Sequence, residues 1–103
     1  MPASQEPHVR PAVAWYRENQ WDRLRELSAD RDDLHATYAE WRAMAETRSR
    51  ELIDRGIDLC RVDVDVELLW AWCCANGRAL DGSARSEYAA ILSRDLTERE
   101  QSE

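Results

Sequence analysis

The most constraining feature of this 103-residue chain is a pair of helix boundaries. Thr37 followed three residues later by Glu40 has the spacing of a capping box, in which each side chain satisfies the other residue's backbone N–H. Gly56 stands where a left-handed residue ends a helix. Together they predict a helix over Tyr38 to Arg55, with Tyr38, Trp41, Met44, Ala45 and Leu52 as its buried stripe. Glu46 with Arg50, and Glu51 with Arg55, stand four residues apart in the favourable order. A long helix so near the middle of one small domain makes the chain mostly α.

Three more helices are expected around it. Pro11 suits a first helical position, and Val13, Tyr16, Gln20, Leu24 and Leu27 recur at helical spacing, so a first helix is predicted from Pro11 to Leu27, with a break at Asn19 as a variant. Asp63 or Asp65 caps a helix from Val66 to Asn76, ended by Gly77. Apolar residues run nearly all the way round that helix, which predicts a central, buried position. Asp81 or Ser83 starts the last helix, from Ala84 to Arg99, with Ala84, Tyr88, Ile91, Leu92 and Leu96 inward. Residues 57–64 alternate in part and read as a short strand or extended segment. A strand needs a partner for its backbone groups. The candidates are a second copy, the N-terminal arm or another protein. The organisation is then a loose arm at 1–10, one helical domain at 11–99 and a frayed tail at 100–103.

Composition removes several classes. No stretch nears the roughly 18 apolar residues of a membrane span, and residues 1–10 have no apolar signal region. Three cysteines, two of them adjacent (Cys73 and Cys74), do not make a disulfide framework and suit a reducing cytoplasm. All 14 basic residues are Arg and none is Lys, with Ala abundant, which reads as GC-rich coding. Net charge is −7, of which residues 51–103 carry −6. Such a half repels nucleic acids and anionic membranes and suits a partner with a basic surface.

No motif specifies an enzyme, so a non-enzymatic protein with no cofactor is expected. The three glycines (Gly56, Gly77 and Gly82) all fit helix ends or turns, which leaves no glycine-rich phosphate loop. Cys60, Cys73, Cys74, His8 and His35 lack the spacing of a zinc site. Asp63, Asp65 and Glu67 would share a face if extended, as hard-cation ligands do. Their simpler role is to cap the next helix and favour its positive end; the third reading is an acidic edge facing a partner. The arginines at 42, 48, 50 and 55 are interleaved with acids, which describes a solvated face better than a nucleic-acid stripe.

The aromatic content is five Trp, three Tyr and no Phe. Trp41 and Trp70 read as core. Trp15 lies off the stripe of its predicted helix and, with Arg17, has the composition of a binding hot spot; Trp72 is a further candidate. The expected contact set is therefore Trp15, Arg17, Asp54, Asp58, Asp63, Asp65, Glu67 and Trp72.

Trp15-Tyr16-Arg17, Trp21, Leu24, Tyr38, Trp41, Val62-Asp63-Val64-Asp65, Trp72-Cys73 and Ala84-Arg85 before Tyr88 resemble a group of small Trp-rich proteins of GC-rich bacteria and mobile elements. The resemblance covers residues 12–92, implies no named activity and carries over no site. In size and charge the chain is also similar to phage and mobile-element accessory proteins, CRISPR inhibitors among them. The function expected is an acidic protein-binding module, a regulator or inhibitor. The alternatives are a small homodimer paired through residues 57–64 and, behind it, a nucleic-acid accessory protein.

Overall fold

The computed structural model describes residues 11–101, with side chains to Leu96; the arm at 1–10 lies outside the described residues. The chain is mostly helical, with one two-stranded parallel sheet. Its elements are β1 (Ala12–Trp15), α1 (Trp21–Leu27), α2 (Tyr38–Asp54), β2 (Cys60–Asp63), α3 (Val66–Ala75) and α4 (Gly82–Gln101), plus 3-10 turns at Glu18–Gln20 and Arg31–Asp33.

Helix α2 begins as the sequence predicts. Thr37 Oγ1 accepts the Glu40 N–H at 3.2 Å, and Glu40 Oε1 accepts the Thr37 N–H at 3.2 Å. A cap of this kind contributes about 1 kcal/mol. Gly56 follows the helix at φ 87°, the left-handed region that side chains disfavour. Trp41, Ala45 and Ser49 are buried, while Tyr38, Met44 and Leu52 are half-buried. Glu46 pairs backward with Arg42 at 3.0 Å rather than forward with Arg50.

The predicted first helix is corrected. Residues 12–15 form β1, and helix starts only at Trp21, after the turn at Glu18–Gln20. The helical spacing from Val13 to Leu27 arises from two different elements. What overrides it is a partner far along the chain. β1 pairs in parallel with β2, Ala12 with Cys60 through Trp15 with Asp63. The Cys60 N–H donates to the Pro11 carbonyl at 2.9 Å and the Val64 N–H to that of Trp15 at 3.0 Å. Residues 57–64 thus find a partner within the chain, next to the arm and not in it. One edge of β2 is satisfied without a second copy.

The sheet separates two environments. On β2, Cys60, Val62 and Val64 are buried and Arg61 and Asp63 exposed, the alternation of a strand with one covered face. Helix α4 packs on both strands, and Ala84 and Ala89 on it are buried. Small residues there allow close approach of helix and sheet.

A second correction concerns α3. It starts as expected, with Asp65 Oδ1 accepting the N–H groups of Glu67 and Leu68 at 2.9 and 3.3 Å. It is not buried all round. Val66, Leu69 and Cys73 are buried, Trp70 and Trp72 half-buried, and Leu68, Ala71, Cys74 and Ala75 exposed. Its neighbours, α1 and α4, cover one side only.

Two links close the structure. Trp41 lies at the centre of an aromatic group, with ring centroids 5.2 Å from Trp15, 5.4 Å from Tyr16, 5.2 Å from Trp21 and 5.5 Å from Tyr38. The polar ends of this group are matched: Trp21 Nε1 donates to the His35 carbonyl and the Tyr38 hydroxyl to the Tyr16 carbonyl. The second link joins the loop after α1 to the start of α4. Arg85 donates to both Asp30 oxygens, at 2.9 and 2.7 Å, and to Ser28 Oγ at 3.2 Å. Asp30 also accepts the Gly82 N–H, and Leu80 O accepts that of Ala29.

Candidate functional site

The candidate residues divide by the work the fold gives them. Asp65 caps α3. Glu67 accepts from Arg23 Nε at 2.7 Å, tying α1 to α3. Trp72 packs on Tyr88 at 5.4 Å, with the Arg78 guanidinium 5.4 Å from its ring centroid. These three hold elements together while remaining at the surface.

Trp15 and Asp63 come together. They are register partners on parallel strands, so both side chains leave the sheet on the same face. The Trp15 ring has Trp41 on one side and the Arg61 guanidinium 4.1 Å from its centroid on another, which leaves it partly buried. An Arg over an indole face gains from the ring's negative π-cloud. Asp63 is exposed and makes no ion pair among the described residues. Arg17 is exposed beyond the end of β1. Asp54 and Asp58 are exposed on the segment that leads from the end of α2 toward β2.

The Asp63, Asp65 and Glu67 carboxylates do not converge. No group of three acidic, His or Cys side chains among the described residues is placed to hold an ion. The zigzag that would have aligned them ends at Asp63, and α3 rotates Glu67 toward Arg23. A shallow open groove of about 530 Å³ is lined by Asp22, Arg25, Glu26, Arg31 and Asp32. Its charges alternate in sign, so it focuses neither cations nor anions strongly.

The cysteines are free thiols; Cys60 and Cys73 are buried and Cys74 is exposed. Burial pushes the Cys73 thiol pKa up, away from the reactive thiolate. Burial likewise pushes the Tyr16 phenol up to about 12, beside Arg85 and Asp30. On α2, Arg42 is held by Glu46, and the Arg48, Arg50 and Arg55 side chains are exposed with Glu51 and Asp54 among them. No described helix is long and apolar enough to cross a membrane.

Three residues at this surface were outside the expected contact set. Arg61 covers Trp15, Arg78 covers Trp72, and Leu68 is 59% exposed. The near-continuous apolar character of α3 was the available signal for Leu68; the two arginines depend on distant pairing and gave none.

Fold and surface together define a small, mostly helical domain with a two-stranded parallel sheet open on one face. No family model, curated protein or solved structure matches the chain.

Proposed function

We propose that the chain is a non-enzymatic protein-binding module, a regulator or inhibitor, that engages a basic protein surface. The observation that carries this reading is the pairing of Asp63 with Trp15 on the open face of the sheet. It places an exposed carboxylate, without an ion pair among the described residues, beside a partly buried indole whose other side is anchored on Trp41. Aromatic anchors supply much of the binding energy at interfaces. The −6 charge of residues 51–103 adds long-range attraction, which acts on encounter rate more than on affinity. A reducing cytoplasm suits the three free thiols, and the chain's size and charge fit a protein carried by a phage or mobile element.

The test is capture of a partner from host lysate by the tagged chain, in parallel with an Asp54→Lys, Asp58→Lys, Asp63→Lys variant, over a range of salt. Asp65 is left intact because it caps α3. The wild type should release its partner as salt rises, and the variant should bind at least tenfold more weakly. Equal capture by both proteins would refute the reading.

A further inference from the structure

The outer edge of β2 carries backbone groups that the fold leaves unused. The Cys60 and Val64 N–H groups donate to β1 and the residue before it, so the two-residue period of a strand turns the backbone of residues 60, 62 and 64 toward β1. Arg61 and Asp63 turn theirs the opposite way. Among the described residues neither has a backbone hydrogen-bond partner on that outer side. Both side chains are exposed, whereas all four residues of β1 are partly buried, so β2 is the more accessible edge of the sheet. An open strand edge is a template for another strand.

We infer that this edge receives an extended, basic segment of the partner protein as a third strand of the sheet. The inference rests on the reading above that the partner is basic, and adds that backbone pairing holds it. Directly opposed residues of neighbouring strands share a face, which sets the chemistry of the segment position by position. The residue against Asp63 lies on the open face, and opposite charge across the strands makes it Lys or Arg. Trp15 is the register partner of Asp63 on β1, so the carboxylate stands between the indole and the incoming cation. Arg61 leaves that carboxylate to the partner. Its guanidinium lies over the Trp15 ring, so the side chain leans across the sheet toward β1, away from the outer edge. The residue against buried Val62 lies on the covered face and is apolar. The residue against Arg61 returns to the open face and is neutral.

Charge also selects a basic segment over a second copy of β2. Residues 54–67 carry Asp54, Asp58, Asp63, Asp65 and Glu67 against Arg55 and Arg61. Pairing β2 with itself would bring two such acidic stretches together, whereas a basic strand meets the opposite sign along its length.

The probe is a blocked peptide, Lys-Val-Thr-Val-Lys-Val-Thr, titrated into the isotope-labelled chain at low salt. In the complex the Arg61 and Asp63 N–H groups should exchange with water at least tenfold more slowly. Two methylated peptides keep the same charge, one N-methylated at Val and the other at Lys and Thr. A strand turns only alternate N–H groups to its neighbour, so one of them should bind at least tenfold more weakly and the other as the parent does. On the protein, Arg61→Pro removes an outward N–H and leaves the ladder to β1 intact, with Arg61→Ala as its control. The proline variant should bind at least tenfold more weakly than the alanine variant. No binding by the wild type, equal binding of the two methylated peptides, or equal binding by the two Arg61 variants would each overturn the inference. So would a dimer whose Arg61 and Asp63 N–H groups are protected without peptide, which would give the edge to a second copy. Methylated peptides that bind alike, yet are both weakened by Asp63→Lys, would remove the third strand and leave the basic partner standing; that reading fails only in the lysate capture.

Discussion

Trp41→Ala should destabilise the fold by about 3–5 kcal/mol, the usual cost of removing a buried indole. Only 8% of Trp41 is exposed, and it is the one ring in contact with all four of Trp15, Tyr16, Trp21 and Tyr38. Its loss leaves a cavity shared by β1, α1 and α2, and no single side chain can shift to fill it. Domains of this kind have about 5–15 kcal/mol of stability in all, so the variant should be far less stable or unfolded. Trp15→Ala is the control. That ring is only partly buried at the margin of the group, and its removal should cost about 1–2 kcal/mol. Urea unfolding followed by tryptophan emission and near-ultraviolet dichroism measures both. A smaller loss for Trp41→Ala than for Trp15→Ala would show that Trp41 is not the hub.

Arg85→Ala should cost about 1.5–3 kcal/mol, the range for hydrogen bonds to charged groups, since the Arg85 and Asp30 side chains are only partly buried, at 14% and 22% exposure. The change leaves Asp30 with the Gly82 N–H but without its two charged hydrogen bonds. The acid limb gives an independent signature. Hydrogen bonding from Arg85 holds the Asp30 carboxyl below its ordinary pKa. A carboxyl depressed in the folded state stabilises fully above its unfolded pKa, near 4, and that contribution fades as pH falls through the folded value. The stability gap between wild type and Arg85→Ala should therefore be widest near neutrality and shrink below about pH 4. A gap constant from pH 7 to pH 3 would mean that Arg85 acts through packing alone.

How much of this was legible in the sequence depends on the distance over which each feature is decided. The α2 start is settled by two side chains three residues apart, and the Asp65 cap by contacts within one turn; both were readable. β1 was not. Val13 and Tyr16 fit a helical stripe, and only the ladder to Cys60–Asp63 makes their segment a strand. The same ladder places Trp15 against Asp63 and Arg61, so the association of two candidate residues was invisible although each was chosen singly. For α3 the apolar pattern was read correctly and its meaning was not. The apolar run continues past the side that α1 and α4 cover, so apolarity alone did not locate the buried face. Of the carboxylates, Glu67 could be recognised as acidic but not as the partner of Arg23, which is 44 residues away.

The β1–β2 ladder also governs how the protein is made. Synthesis runs from the N-terminus, so β1 is made before its partner, which follows only after α1 and α2. Closing a loop of that length loses chain entropy before any ladder bond forms, which slows the step. Until β2 emerges, β1 has no ladder partner in its own chain, and the face it shows to α4 stays uncovered longer still. An apolar strand held unpaired through so much of translation is the kind of segment that chaperones retain.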